Sequence, residues 1–348
     1  MRRYGNLWEQ LISKENFELA YRRSRKNKSK FKAVIRFEKN YEEKLENLRQ
    51  KVINKEFTTG IYKEKIKYEP KKRIIYVLPY CPDRIVHHAL MNVLMPIFEK
   101  IFIKDSYACI RGRGQHKGSL RCMEFVRRNK YCLKCDIHHF YPSINHDILY
   151  SMIEHKIKDK NVLWLIKDII YSFEGETNVP IGNLTSQWFG NFYLTPLDYF
   201  IKHELKCKDY ERYSDDFTLY SNDKFYLRDC REKIGKFINE KLKLEFSKCD
   251  IFHTKQGVDY LGYRHFDNYI LVRKRTAKRT VKRIRKLPEK LKSGKITEEQ
   301  YEGSIASANG LIKHANSYNL RRKMRLDELQ KEINDARRRR KEEQQRTE

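Results

Sequence analysis

Tyr210-Glu-Arg-Tyr-Ser-Asp-Asp-Phe-Thr-Leu-Tyr220 sets two adjacent acids, Asp215 and Asp216, between two short runs of strand-forming residues. The aromatic and β-branched side chains of 210–213 and 217–220 predict two paired strands, with Ser214, Asp215 and Asp216 at the tip between them. Two carboxylates side by side at a hairpin tip repel each other unless cations hold them. Taken alone, such a tip is by default a solvated acidic turn.

Lys134-Cys135-Asp136-Ile137 changes that reading, because residues 131–137 predict a strand that carries a third acid, Asp136, near its end. Three carboxylates converging on two Mg²⁺ ions meet the requirement of two-metal phosphoryl transfer, in which one ion activates an attacking oxygen and the other neutralises the leaving group. The spacing fits the palm of a polymerase. Tyr141 follows after Ile137-His138-His139-Phe140. A flat ring there could exclude a sugar 2′-hydroxyl by overlap, or simply pack in a core. His138 and His139, adjacent at a strand end, are expected to point to opposite sides and to share no ion.

The most specific stretch is Val179-Pro-Ile-Gly-Asn-Leu-Thr-Ser-Gln-Trp-Phe-Gly-Asn-Phe-Tyr-Leu194. Gly182 would allow close backbone approach to a nucleotide, Asn183 could cap the following helix, and Ser186, Gln187 and Asn191 put polar groups on its early turns.

Around these motifs the periodicity predicts helices over residues 7–21 and 37–52, separated by a segment that opens with the basic run 22–32. Strands over 58–68 and 73–78 flank Glu69-Pro-Lys-Lys72, a hairpin with a basic tip. Helices are expected over 84–101, 145–156, 162–173, 184–205 and 225–244, and strands over 251–253, 259–263 and 269–272. From about residue 276 the sequence becomes basic and helical, which puts a boundary near Arg275. The fold class is α+β. Residues 337–348 are charged and of low complexity, and are expected to fray.

Composition narrows the partner. The 348 residues carry 75 Lys and Arg against 46 Asp and Glu, a net charge of +29, with 23 Tyr and 18 Phe still present. That balance describes a folded protein with a polyanionic partner and not a disordered basic tail; a ribosomal or membrane-surface protein is the other reading. No run approaches the roughly 18 apolar residues of a membrane span, so a cytosolic protein that does not engage a membrane is expected. Cys132-Leu-Lys-Cys135 has no second pair nearby, and reduced core thiols are expected in place of a zinc site.

Asp136 with Tyr141, Ile181-Gly-Asn-Leu-Thr-Ser-Gln187, and Tyr213-Ser-Asp-Asp216 together resemble the reverse transcriptases of diversity-generating retroelements, cassettes that mutagenise a target gene. Group II intron-like and retron-like bacterial enzymes form the wider family. The resemblance runs from about residue 5 to about residue 325. It implies a right-hand polymerase: an N-terminal helical extension (1–57), fingers and palm (58–272) with an antiparallel palm sheet flanked by helices, a helical thumb (273–336) and a charged tail (337–348). It also implies RNA-directed DNA polymerisation on a template-repeat RNA, error-prone at template adenines.

Under the same resemblance, two Mg²⁺ ions, replaceable by Mn²⁺, are held by Asp136, Asp215, Asp216 and the carbonyl of Ile137, and Lys248 protonates or neutralises pyrophosphate. Lys71, Lys72 and Arg73 clamp triphosphate and template. So does an arginine of Ser106-Tyr-Ala-Cys-Ile-Arg-Gly-Arg-Gly-Gln-His116, either Arg111 or Arg113 because Ile110 stands where relatives carry Arg. Tyr141 gates the sugar, and Ile181, Gly182 and Gln187 border the nascent pair. Tyr260, Leu261 and Gly262 resemble the primer grip, and Lys313 and His314 belong to the thumb. Gly190 and Ser214 depart from the more usual Ala, and Met or Ala, of relatives. The implied partners are template RNA, a cDNA primer–template duplex, deoxynucleoside triphosphates and a small basic accessory variability protein. The few residues after the thumb leave no room for an RNase H, integrase or endonuclease domain. Retron and phage-defence reverse transcriptases, or a polymerase fold used as an RNA-binding scaffold, remain as alternatives.

Overall fold

The computed structural model describes residues 3–68 and 73–347, the side chains of 336, 337 and 339–347 excepted. Lys71 and Lys72, at the expected basic tip, lie outside the described residues. The chain forms two compact units that interleave in sequence: Met1–Gly112, Leu133–Leu219 and Phe225–Asp250 make the first, and Arg113–Cys132, Tyr220–Lys224 and Ile251–Glu348 the second.

The first unit is organised on the helix Ile85–Ile101, whose side chains are buried on most of its circumference, among them Ile85, Val86, Leu90, Leu94 and Phe98. A helix apolar on all sides must be covered on all sides. The helices Lys14–Arg25 and Leu184–Tyr193 pack on it. The expected helix over 7–21 is broken at Ser13, whose side chain accepts from the Asn16 N–H at 3.2 Å and starts Lys14–Arg25 anew. The one expected over 37–52 begins only at Tyr41, after Asn40 at φ +62°. The long helix over 184–205 divides: Leu184–Tyr193 ends, Thr195–Tyr199 starts with Pro196 in its first turn, and a wide turn Phe200–Glu204 follows. Pro196 has no N–H to continue the earlier ladder and fits a first turn.

Strands β1 (Lys63–Lys67) and β2 (Arg73–Val77) pair antiparallel. β3 (Tyr131–Ile137), β4 (Tyr210–Tyr213), β5 (Asp216–Ser221) and β6 (Phe246–His253) form a sheet in the order β4-β5-β3-β6, with β4 and β5 antiparallel and Tyr213 opposite Asp216. This order sets the two acidic motifs on neighbouring strands.

In the second unit, β7 (Val258–Tyr260), β8 (Tyr263–His265) and β9 (Ile270–Val272) form an antiparallel meander. The sequence suggested one strand over 259–263. Instead Leu261 at φ +52° and Gly262 at φ +83° turn the chain in two residues, the geometry a tight hairpin favours. The helix Gln115–Arg128, for which no element was expected, packs on this meander. Helices from Lys274–Arg285 to Leu326–Thr347 enclose a small core of Ile284, Leu287, Ile305, Ala308, Ile312, Met324, Leu326 and Ile333. The proteins that cross membranes on helices need longer apolar ones: none among the described residues is long and apolar enough.

Candidate active site

Asp136 lies near the end of β3, Asp216 opens β5 beside it, and Asp215 is the second of two residues in the β4–β5 turn. Asp136 Oδ2 accepts from Ser247 Oγ on β6 at 2.6 Å, and Lys134 Nζ stands 3.4 Å from Asp216 Oδ2. Burial pushes the Asp216 carboxyl up to about 7; Lys134 opposes the rise, and Asp136 and Asp215 add to it. Burial also raises Asp215, against its own backbone N–H and with Asp136 adding to the rise, while Ser214 and Arg73 pull it down. The three acids therefore act on one another, and Arg73 at the start of β2 acts on Asp215 across the unit.

Tyr141 belongs to this group. It sits on the short helix Phe140–Ser143, where the Ser214 hydroxyl and the charge of Asp215 both act on its own hydroxyl. Burial pushes its hydroxyl up to about 12, which keeps it protonated at neutral pH. Gly190 makes room for the ring: a Cβ there would stand 3.0 Å from Tyr141 Cε1 and 3.1 Å from Phe140 Cε1. His138 and His139, expected to diverge, meet edge to face at 4.2 Å because His139 turns the chain at φ +41°.

The Ile181-Gly182 segment is tied to β2. The Tyr76 N–H donates to the Ile181 carbonyl at 2.8 Å, and a Cβ on Gly182 would lie 2.6 Å from the Tyr76 carbonyl oxygen. The close backbone approach that a glycine was expected to provide is thus made to a strand. Asn183 stands at the helix start without a side-chain cap, its Nδ2 donating instead to the Pro180 carbonyl at 3.4 Å. Ser186 Oγ donates to the same carbonyl at 2.7 Å and closes the turn. Gln187 is exposed, as are Arg73, Arg111 and Lys248. Arg111 belongs to the unit of the carboxylates and Arg113 to the other.

In the second unit Tyr260 is fully buried, so its ring serves the core, and Leu261 and Gly262 in the turn are half-buried. Gln115 Nε2 donates to the Leu261 carbonyl at 2.6 Å. His314 Nε2 lies 2.8 Å from Ser119 Oγ, which lies 2.6 Å from His265 Nε2, and the His314 ring stacks on His116 at 4.3 Å. His314 is thereby engaged within its unit, whereas Lys313 is exposed. Sequence reasoning missed the Ser119 and His265 relay, the lysine Lys134 beside Asp216, and the buried Arg212 directly behind the acidic turn. A cation inside a run that otherwise reads as a buried strand was the available signal for Arg212.

Hard divalent cations take oxygen donors, and the acids here supply only carboxylate oxygens, with the Ile137 carbonyl at the end of β3. Among the described residues no three His, Cys, Asp or Glu side chains stand together closely enough to hold an ion as they are. Two of the acids are turned to Ser247 and Lys134. Their chemistry nevertheless fits a cation, because burial and mutual repulsion raise Asp215 and Asp216, a cost that bound positive charge removes.

The family model described as "Reverse transcriptase (RNA-dependent DNA polymerase)" matches residues 61–265, more than half of the chain. The chain is 29% identical over 196 residues to "Retron Ec73 reverse transcriptase" of Escherichia coli, covering 51% of this chain and 60% of that protein. It is 24% identical over 302 residues to "Group II intron-encoded protein LtrA" of Lactococcus lactis subsp. cremoris, covering 66% of this chain and 47% of that one. It is 22% identical over 260 residues to "Protein YkfC" of Escherichia coli, covering 61% and 66%. The chain thus spans less than two thirds of each of these relatives.

Proposed function

The chain belongs to the reverse transcriptase family, and from that premise we propose that it is an RNA-directed DNA polymerase that extends a primer on an RNA template. The observation that carries this reading is the set of three acids, Asp136, Asp215 and Asp216, on the neighbouring strands β3 and β5 and the turn before β5, with their charges acting on one another and Asp215 acting on Tyr141. In this reading β1–β2 serves as fingers, the four-stranded sheet as palm and the C-terminal helices as thumb.

Divalent ions, Mg²⁺ or Mn²⁺, would be held by the three acids and the Ile137 carbonyl and would supply the positive charge that phosphoryl transfer needs at the attacking and leaving oxygens. The residues of the chain do the rest. Arg73 and Lys71, with Arg111 or Arg113, bind triphosphate oxygens, where a guanidinium offers two parallel donors. The Tyr141 ring forms a wall beneath the incoming sugar, neutral because its hydroxyl stays protonated. Ile181 and Gly182 border the nascent pair, and Lys248 neutralises or protonates the departing pyrophosphate. Leu261, Gly262 and Lys313 meet the primer–template backbone, and the +29 charge attracts the polyanion as a whole.

Within the family we assign the chain to diversity-generating retroelements, with a template-repeat RNA, errors concentrated at template adenines and a small basic accessory protein. The motifs around Asp136, Ile181 and Tyr213 support this assignment. A retron-like role is the second reading, favoured by the similarity to the retron enzyme over half of the chain.

Primer extension on one RNA template, followed by sequencing of the cDNA, tests both levels. Wild type should extend with Mg²⁺, and Asp215→Asn should abolish extension while leaving RNA affinity nearly intact. Extension by Asp215→Asn at the wild-type rate would remove the catalytic assignment. Errors no more frequent opposite adenine than opposite other bases would favour the retron-like reading.

A further inference from the structure

Arg212, immediately before Tyr213 on β4, is fully buried, and so is its ion-pair partner Asp198. Its Nε donates to Asp198 Oδ1 at 2.8 Å and its Nη2 to Oδ2 at 2.6 Å, a two-pronged pair. Nη2 also donates to the Asn191 carbonyl at 3.3 Å, and Nη1 to Asn191 Oδ1 at 3.1 Å. The remaining N–H on Nη1 donates to the carbonyl of Ser214 at 3.0 Å. A guanidinium has five N–H groups, and all five are engaged. Tyr210 adds a hydroxyl to Asp198 Oδ1 at 2.6 Å.

Taking two charges out of water is costly, and a well-packed apolar pair of similar volume is often as stable, so this pair is weak evidence for a stabilising role. Its one bond to the catalytic turn is the informative one. Ser214 is the first of the two turn residues and stands at φ +59°, a conformation an L side chain adopts at a cost. Its carbonyl and the Asp215 N–H belong to one planar peptide unit, so fixing one fixes the other. That N–H lies next to the Asp215 carboxylate and pulls it down against burial, so the orientation of the peptide bears on the carboxylate. The chain of constraint runs from Arg212 through the peptide plane to the Asp215 carboxylate.

The geometry points to Arg212 as a positioning residue, whose bond to the Ser214 carbonyl sets the Asp215 carboxylate for cation binding. This rests on the catalytic reading of Asp215. Asp198 and Asn191 hold the guanidinium from the helices behind the sheet, and the main chain of Arg212 is itself pinned, its N–H donating to the Asp105 carbonyl and its carbonyl accepting from Tyr107, both at 2.9 Å. A lysine at this position keeps the charge for Asp198, but its ammonium lacks the planar fork that reaches Asp198 and Ser214 together.

The test compares Arg212→Lys, Asn191→Ala and Tyr210→Phe with wild type in three measurements: Mn²⁺ binding to the metal-free protein by electron paramagnetic resonance, the Mg²⁺ concentration for half-maximal primer extension, and thermal stability. Arg212→Lys should weaken Mn²⁺ binding and raise the Mg²⁺ requirement roughly tenfold, the scale of one hydrogen bond from a charged donor. Asn191→Ala removes one support of Nη1 and should shift both in the same direction by less. Tyr210→Phe removes a bond of the same buried cluster that does not reach the turn, and should lower stability with cation affinity unchanged. Should Arg212→Lys not fold, Asn191→Ala against Tyr210→Phe decides. Cation affinity unchanged in every folded variant, or lowered equally by Tyr210→Phe, overturns the inference. Wild type that binds Mn²⁺ without extending a primer would sink the catalytic reading and leave the cation comparison to judge Arg212.

Discussion

Replacing Gly182 by alanine should loosen β2 and, through it, the nucleotide site. Gly182 has φ +132°, a conformation that strains any other residue by ~1–3 kcal/mol. The added Cβ would lie 2.6 Å from the Tyr76 carbonyl oxygen, an overlap with main chain that no rotamer change relieves, and 2.8 Å from the side-chain atom Ile75 Cγ2. The strand must move, and the Tyr76 N–H bond to the Ile181 carbonyl is at stake, worth ~0.5–1.5 kcal/mol. Together the loss is about 1.5–4.5 kcal/mol. Because β2 begins at Arg73, which acts on Asp215, KM for deoxynucleotides should rise more than kcat falls. Gly190→Ala is the fitting comparison, since its Cβ would meet ring atoms of Tyr141 and Phe140 at 3.0 and 3.1 Å, which can give by a few tenths of an ångström. Urea unfolding and steady-state extension check both variants. A Gly182→Ala protein within ~0.5 kcal/mol of wild type, with unchanged KM, would refute the argument that this glycine is required by its approach to β2.

Two further outcomes are expected. Tyr141→Ala should admit ribonucleotides, seen as alkali-labile products, and unchanged sugar selectivity in a folded variant would reduce the ring to a packing role. Asp216 is lifted to about 7 in the folded chain, burial being the largest cause, against about 3.9 when unfolded. An acid raised in this way favours the folded state at low pH and loses that contribution as pH rises from the lower value through the upper one, so metal-free wild type should lose stability between about pH 4 and 7. Asp216→Asn should flatten that fall in denaturation curves recorded in chelator, and equal pH slopes for the two proteins would show that Asp216 ionises normally.

The acidic hairpin was legible because aromatic and β-branched residues flank its acids, and β3 because the short run Tyr131-Cys-Leu-Lys-Cys-Asp-Ile137 is mostly apolar and bounded by polar residues; β3 and β4 fall on the residues expected. The helix Gln115–Arg128 was not, because its buried positions include Gly118, Ser119 and Cys122, small residues that do not stand out as an apolar stripe. The β7–β8 turn was hidden for the opposite reason: Leu261 is apolar and continues a strand-like pattern, yet takes the positive φ usually left to Asn or Gly. Arg212 was passed over because a charge in a strand is read as solvated until a partner is seen, and Asp198 lies on a separate helix. The acids could be named from local spacing, whereas the residues that orient them could not.

The departures of this chain from the pattern of its resemblance gain a common meaning in the structure. Gly190 and Ser214 lie apart in sequence, yet both bear on Tyr141: one leaves room for its ring, and the hydroxyl of the other acts against the burial that raises the Tyr141 hydroxyl. An alanine at 190 would press on the ring, and an apolar side chain at 214 would remove the hydroxyl that acts on it. Ser214 is in turn held by Arg212 through its carbonyl. The wall beneath the proposed sugar site and the turn that bears Asp215 thus meet at one residue, Ser214, whose carbonyl is held by Arg212 and whose hydroxyl acts on Tyr141. A change at 214 should therefore act on the Tyr141 ring and on the turn that bears Asp215 together.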